Sequence, residues 1–435
     1  MARSTTSQKR DGTLEHENEL LRNAVEELSI LNEMATAIGS ASSLDRIVNL
    51  MVGKCVKHFH TEQAAVMLLD PGQTGTALKT MVRKAETRSD AAPFRLDSQL
   101  TGWMLNHREP LLVNDLEHDE RFCTDRDAAC PYRSLLSVPL LSKGRMIGLL
   151  TVFNKKDPEG FDENDQRLLF IIAGQSAQVI ENARLLEKEK ELMRMEEELR
   201  LAREIQMGLL PKEPPSVAGY DIYGISIPAK AVGGDYFDFI PVNDTLLAFC
   251  LGDVSGKGMP AALLMSNLQA AVRSQSLLET ACSECMVRAN TLLCRNTGPE
   301  KFATLFYGVL DFTNHAVRCC NAGHNYPFLF SRDRDPHLLV TGGPVLGFME
   351  GIPFEQASHP LSPGDLLLAY SDGITEALNP SEDQYGEDRL AGIIRSGMGL
   401  SARELIQRIL DDVGTFSANT PQEDDMTLLA IKRIR

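Results

Sequence analysis

Leu246-Leu-Ala-Phe-Cys-Leu251 is an apolar run that leads straight into Gly252-Asp-Val-Ser-Gly-Lys-Gly258. A short apolar run closed by glycine reads as a buried strand. Glycine after it lets the backbone turn sharply and approach a ligand, so Asp253 is presented at a strand end. The arrangement recurs: Leu366 to Tyr370 runs into Ser371-Asp-Gly373, Gly233-Gly-Asp235 precedes Tyr236 to Ile240, and Asp424 and Asp425 stand immediately before Met426 to Ile431. A single Asp-Gly after a strand is usually only a turn. Four segments that each bring a carboxylate to a strand end need a further cause, because like charges held together repel unless a cation compensates. Oxygen-only ligands suit hard divalent ions, Mg²⁺ or Mn²⁺. Two such ions sharing a bridging water make hydroxide available near neutral pH. The reaction implied is hydrolysis of a phosphate ester, with no serine–histidine or cysteine nucleophile required.

Two competing motifs fail. Gly252 and Gly256 are separated by three residues rather than four, and Lys257 is followed by Gly258, so the stretch is not a P-loop. Cys282 to Arg288 satisfies C-x5-R, the pattern of a cysteine phosphatase loop, but contains no glycine to cradle a phosphate. It reads instead as continuous helix, marked by Leu277, Leu278, Ala281, Cys285, Val287 and Leu292. The clearest helices of this half are expected at about 260–295 and 402–414.

Working outward, the 435 residues are too many for one ordinary core, so two or three domains are expected. Lys plus Arg is 44 against 60 for Asp plus Glu, a net charge of −16, which argues against binding nucleic acid or an anionic membrane through the overall field. No apolar run approaches the roughly 18 residues that span a bilayer, and Met1 to Arg10 is polar. The expected location is the cytoplasm. The nine cysteines are scattered, so free buried thiols are expected rather than a disulfide framework.

Residues 14 to about 50 carry helical spacing (Leu14, Leu21, Val25, Leu28, Leu31, Met34). Strand-like stretches follow at Ala64 to Leu69, Leu111 to Val113, Leu135 to Leu141 and Met146 to Phe153. Phe161 to Leu186 then reads as a long helix, with Asp162 as N-cap and Asp165 three residues later. Leu185, Leu192 and Leu199 recur every seven residues, and Met195, Ala202 and Leu209 form a second row, with Lys188 and Gln206 as polar interruptions. That seam fits a surface helix or, better given the wide charged face, a dimeric coiled coil joining two domains. Pro211, Pro214 and Pro215 end it. The expected division is a polar tail with the start of a helix over 1–24, an N-terminal domain over 25–183, a helical linker over 184–211 and a C-terminal domain over 212–435.

The ordered set Ala202-Arg-Glu-Ile-Gln206 with Leu209-Leu-Pro211, Val232-Gly-Gly-Asp-Tyr236, Gly252 to Gly258 with Pro260-Ala-Ala262, Asn321-Ala-Gly-His324, Tyr370-Ser-Asp-Gly373 and Asp424-Asp-Met-Thr427 resembles the SpoIIE-type (RsbU-like) branch of the PPM metal-dependent serine/threonine phosphatases, over residues 200 to 435. The resemblance implies a β-sandwich flanked by helices. It also implies two Mn²⁺ or Mg²⁺ ions and dephosphorylation of phosphoserine or phosphothreonine on a protein, often a STAS-type anti-anti-sigma factor. Carried over, Asp235 and Asp253 look like the pair bridging both ions. The Val254 carbonyl adds a ligand where relatives often have glycine, and Asp372 and Asp424 serve the individual ions, with Asp425 as the alternative to Asp424. Lys230 is a candidate for the phosphate-holding cation that some relatives supply as arginine. His324 is a candidate general acid, or a buried turn residue supporting the site.

Arg133 to Leu140, Gly148 to Val152, and Phe161 leading into Ile180-Glu-Asn-Ala-Arg184 resemble a GAF domain, which implies a sensory fold that takes a small ligand or none. Cys123, Cys130, His107 and His118 lie near where such a pocket would be. The expected architecture is therefore α+β: a GAF-like sheet with helices, a coiled-coil linker and a PPM-type sandwich, regulated through the linker and homodimeric. Two rivals are a catalytically weak GAF-linked scaffold that sequesters a signalling partner, and a nucleotide phosphodiesterase. The first would be favoured by loss of an acidic ligand, and none is lost. The second would need histidine-rich metal ligands, and the nine histidines are scattered.

Overall fold

The computed structural model describes residues 44–69, 78–84, 98–119, 121–122, 132–278, 281–298, 300–331, 335–418 and 420–435, together with Val25 and Ser29. The chain divides into two compact units, Met1–Met193 and Arg194–Arg435, with the division inside the span expected for the linker. Most of the helix expected from residue 14 lies outside the described residues. Helix α1 is Leu44–His58.

In the first unit β1 (Thr61–Leu69), β2 (Leu78–Lys84), β3 (Leu111–Val113), β4 (Leu135–Ser142) and β5 (Arg145–Lys155) form one antiparallel sheet in the order β2-β1-β5-β4-β3, with α2 at Ser98–His107. Alternate residues of β1 serve opposite faces. Ala64, Val66 and Leu68 pack with Val48, Met51, Leu169, Ile172 and Ile180. Ala65 and Met67 pack with Met104, Leu149 and Phe153 on the other side. A sheet buried on both faces explains why its strands read as unbroken apolar runs.

Helix α3 spans Glu163–Leu209, 47 residues. Its start carries the expected cap in reciprocal form: Asp162 Oδ1 accepts from the Asp165 amide (2.8 Å) and Asp165 Oδ2 accepts from the Asp162 amide (3.1 Å). The helix does not pause at Leu186, so the expected long helix and the expected connector are one element. Its seam residues Leu185, Leu192, Met195 and Leu199 are 55%, 52%, 51% and 40% exposed.

The second unit is a two-sheet sandwich. One sheet holds β7 (Tyr236–Asn243), β8 (Leu246–Val254), β9 (Ala303–Asp311), β10 (Ala316–Ala322), β13 (Gly342–Gly343) and β14 (Ala357–Pro360), in the order β13-β10-β9-β8-β7 with β14 beside β10. The other holds β6 (Tyr220–Ile227), β11 (Phe328–Phe330), β12 (His337–Leu338), β15 (Leu366–Tyr370) and β16 (Met426–Arg433), in the order β12-β11-β15-β16-β6. Leu367 and Ala369 of β15 join Leu429 and Ile431 of β16 in the core between the sheets. Leu366, Leu368 and Tyr370 face outward onto α7 (Glu387–Ser396) and α8 (Ala402–Ser417). Helix α8 opens on a capping box of Ser401 and Glu404.

The continuous helix expected at 260–295 is two helices, α4 (Met259–Ser276) and α5 (Cys282–Asn296). A single helix there would run roughly 50 Å at about 1.5 Å per residue, well past the strands beneath it. The chain turns back instead, leaving Leu277 and Leu278 60% and 53% exposed. Cys282 and Cys285 are buried on α5, so the C-x5-R stretch forms no phosphate loop. The described cysteines are all free, while Cys123 and Cys130 lie outside the described residues. Among the described residues no helix is long and apolar enough to cross a membrane.

Candidate metal centre

Strand pairing gathers the acids. Tyr236 pairs with Gly252 across β7 and β8, which sets Asp235 opposite Asp253 at the end of that hairpin. In the other sheet Tyr370 pairs with Leu428. This brings Asp372, the first residue of the short helix α6 (Asp372–Thr375), to the end where Asp424 and Asp425 precede β16. Each of the two sheets thus contributes one side of an acidic edge.

Glycine makes the close approach possible. A Cβ on Gly234 would stand 2.8 Å from Asp253 Oδ1 and 3.1 Å from the Val254 carbonyl oxygen, and one on Gly233 would stand 2.1 Å from Asp425 Oδ2. The donors offered are carboxylates and one peptide carbonyl, a hard, all-oxygen set suited to Mg²⁺ or Mn²⁺ and ill suited to a softer metal. Among the described residues no three acidic, histidine or cysteine side chains close into a tight cage.

Its electrostatics are those of crowded negative charge. Burial and then Asp253 push the Asp235 carboxyl well above the usual range. Asp253 is pushed up to about 7, first by burial and then by Asp372, Asp424 and Asp425. Asp372 is raised by burial and by Asp424. Asp235 is further fixed by Thr427, whose hydroxyl donates to its Oδ2.

Asp424 and Asp425 do different work. Asp425 is 6% exposed and accepts backbone amides at both oxygens: Ala229 at Oδ1 (2.8 Å), Gly234 at Oδ2 (2.7 Å) and Asp235 at Oδ2 (3.3 Å). Asp424 keeps a half-exposed side chain and pairs with Lys257 (2.8 Å), whose Nζ also donates to the Glu423 carbonyl (3.0 Å). Lys230 is exposed and shares a recess with Gly233, Gly234, Gly256, Lys257 and Asp424. A groove of about 400 Å³ lined by Lys257, Gly373, Glu376, Leu410, Glu423 and Asp424 opens beside it.

His324 is 4% exposed, and burial pushes its imidazole down to about 4 from 6.5. Its Nδ1 meets Thr304 Oγ1 (2.9 Å), and Thr304 Oγ1 donates to the Asp253 carbonyl (3.3 Å). Asn321 holds the turn by accepting the His324 amide at 2.8 Å. The ring lies behind Asp253, and its imidazolium form, which a general acid needs, is scarce near neutral pH. Because the unfolded chain takes up the proton first, this residue's stabilisation is complete above about pH 6.5 and is lost as pH falls towards 4. Urea titrations should show wild type losing about 2–3 kcal/mol more than His324→Gln between pH 7.5 and 4.5, with turnover at pH 7.5 kept within about tenfold. A hundredfold loss of turnover would return His324 to a catalytic role.

Elsewhere the sequence candidates disperse. His107 Nδ1 lies 2.9 Å from the Trp103 carbonyl within α2, and His118 forms an exposed pair with Asp115. Of the residues that support the site, Thr304 lies in no quoted motif, while Lys257, Gln206, Ser371 and Thr427 are visible only as parts of quoted motifs.

The chain matches the family Stage II sporulation protein E (SpoIIE) over residues 243–434 and the GAF domain family over residues 41–181. It is 31% identical over 239 residues to the phosphoserine phosphatase RsbU of Bacillus subtilis, covering 54% of this chain and 70% of RsbU. It is 28% identical over 263 residues to protein IcfG of Synechocystis, covering 54% of this chain but only 41% of IcfG. Among solved structures, the SiaA-PP2C domain of Pseudomonas aeruginosa aligns with a TM-score of 0.49 and 18% identity, covering 56% of this chain and 98% of that domain. With the SpoIIE match falling on the domain that gathers these acids and with the likeness to RsbU, the chain belongs to the SpoIIE-type, RsbU-like family of PPM metal-dependent serine/threonine protein phosphatases, with a GAF domain preceding the phosphatase domain.

Proposed function

We propose that this protein removes phosphate from phosphoserine or phosphothreonine on a partner protein, an anti-anti-sigma factor of the STAS type, and that its GAF domain regulates the reaction through α3. The observation that carries the reading is the meeting of Asp235, Asp253, Asp372 and Asp424 at one edge of the sandwich, with Asp235, Asp253 and Asp372 carrying raised carboxyls. In this reading those four side chains and the Val254 carbonyl hold two divalent ions, and Asp425 orders the backbone around them. Such ions supply charge neutralisation for the phosphoryl oxygens and a more acidic water. Lys257 and Lys230 offer cations to an incoming phosphate, and the adjoining groove has room for the phosphorylated side chain.

The likeness to RsbU, a phosphoserine phosphatase, supports the reaction class. The GAF domain is the place for a small regulatory ligand. The half-exposed seam of α3 supports a homodimer through the linker, and sedimentation of the full chain as a monomer would remove that part. The test of function is release of phosphate by the full chain from a phosphoserine protein and from an aryl phosphate, with and without Mn²⁺. Metal-dependent turnover is expected, and none on any phosphoprotein or aryl phosphate would overturn the reading.

A further inference from the structure

Apolar residues border the loop that follows Asp253 on two sides. Phe302, just before β9, is 42% exposed; its carbonyl accepts from the Ser255 amide (2.9 Å) and its own amide donates to Ser255 Oγ (3.1 Å). Met259 and Leu263 come directly after Gly258, one turn apart on α4, and are 38% and 66% exposed. Phe348 and Met349 are 62% and 56% exposed, and their loop leans on Phe302. A Cβ on Gly347 would stand 3.4 Å from Phe302 Cα and 2.9 Å from the Lys301 carbonyl oxygen. Single exposed apolar residues are ordinary, but this loop is clamped from beneath on either side of Phe348. Asn290 of α5, 1% exposed, accepts the Gly347 amide (2.8 Å) and donates to the Met349 carbonyl (2.8 Å). With its backbone pinned at both bonds, the loop displays Phe348 outward instead of folding it into the sandwich. Lys301 adds a cation on the side of the site, since its Nζ lies 3.7 Å from where a Cβ on Gly256 would stand.

We propose that Met259, Leu263, Phe302, Phe348 and Met349 form the docking surface for the phosphorylated partner protein, which meets it with apolar side chains beside its phosphorylated residue. The proposal rests on the phosphatase reading above. Position names the occupant. A phosphorylated side chain is short, so a protein that delivers one to Asp253 covers the residues bordering the Gly252 to Gly258 loop. A phosphate and one side chain offer few contacts, whereas specific protein complexes bury roughly 800 Å² on each partner, with aromatic and methionine side chains at the core and charges at the rim. The patch has that composition, and Lys301 at its inner rim suits an approaching phosphate.

The experiment uses the full chain as wild type, Leu263→Gln, Phe348→Gln, the two combined, and a control carrying Leu277→Gln with Leu278→Gln. The control residues are also exposed and apolar, but lie beyond the other end of α4. The substrates, each with Mn²⁺, are a STAS-domain protein phosphorylated on serine, a serine phosphopeptide cut from it, and p-nitrophenyl phosphate. Each single substitution is expected to raise KM for the phosphoprotein about tenfold, and the pair about fiftyfold, with kcat kept within about twofold. Kinetics on the peptide and on p-nitrophenyl phosphate should stay at wild-type values, which also shows that the variants fold. The control should match wild type throughout. Equal KM for the phosphoprotein in all five proteins, an equal rise in the control, or a parallel loss on p-nitrophenyl phosphate overturns the docking surface alone. Sedimentation that shows the combined variant losing an assembly present in wild type assigns the patch to contact between copies and overturns it too. Wild type that cleaves p-nitrophenyl phosphate but neither cleaves nor binds the STAS phosphoprotein overturns the partner and its docking together. Wild type that cleaves none of the three overturns the phosphatase reading, while calorimetric titration of the phosphoprotein into the five proteins still judges the patch.

Discussion

Asp253→Asn is expected to lower Mn²⁺-dependent turnover on the order of a thousandfold and, without metal, to make the chain harder to unfold. The two effects share one cause. Asp253 ends β8 opposite Asp235, and burial plus neighbouring Asp372, Asp424 and Asp425 oppose its charge strongly enough to hold its carboxyl near 7. At pH 8 the metal-free wild type carries that charge at a cost to folding. Asparagine keeps the shape and removes the charge, with an expected gain of about 1–4 kcal/mol. Added Mn²⁺ should reverse the order, because a ligand that binds only the folded state stabilises it in proportion to the logarithm of its concentration over its dissociation constant. Urea midpoints measured in chelator and in excess Mn²⁺ check this directly. If the two proteins keep the same order in both conditions, or if Asp253→Asn retains full turnover, Asp253 does not hold an ion.

The adjacent acids before β16 give the second large contrast. Asp425→Ala removes the acceptor of three backbone amides, those of Ala229, Gly234 and Asp235, and leaves them buried beside a void. At about 1–3 kcal/mol for each amide left unsatisfied, a loss of roughly 3–5 kcal/mol in folding stability is expected, with activity falling as a consequence. Asp424→Ala removes an exposed pair with Lys257 and the acceptor of the Asp425 amide (2.9 Å), and should cost about 1–2 kcal/mol of stability, less than Asp425→Ala, yet lower turnover a hundredfold or more, with Mn²⁺ affinity falling alongside. Thermal melts beside Mn²⁺ titrations separate the two. The opposite pattern, with Asp424 needed for folding and Asp425 for metal, would exchange their roles.

What could be read from the residues was what short-range pattern encodes. β8, β15 and β16 are apolar runs ended by glycine or preceded by acid, and all three stand where that pattern puts them. The reciprocal cap of Asp162 and Asp165 was visible as two acids three apart before an apolar period. The break between α4 and α5 was not, because Leu277 and Leu278 continue the helical spacing and no proline or glycine marks the turn. It is set by the extent of the sheet beneath, a long-range constraint. The choice between Asp424 and Asp425 was equally hidden, since identical neighbours differ only in which way the strand end turns them. Gln206 read as a polar interruption in an apolar seam. Its partner is 27 residues away, at a glycine with no side chain to signal the contact.

The buried thiols turn the phosphatase domain into its own reporter of opening. Cys250, Cys282, Cys285, Cys319 and Cys320 are buried, and burial pushes Cys282, Cys319 and Cys320 up to about 12 and Cys285 up to about 11. Only the thiolate reacts with an alkylating reagent, so in the closed sandwich these sulfurs are shielded by both packing and protonation. Cys294, partly accessible on the outer side of α5, is the first of the described sulfurs in this domain to be labelled. The interval before the other five follow then clocks the transient unfolding of the domain with no engineered cysteine.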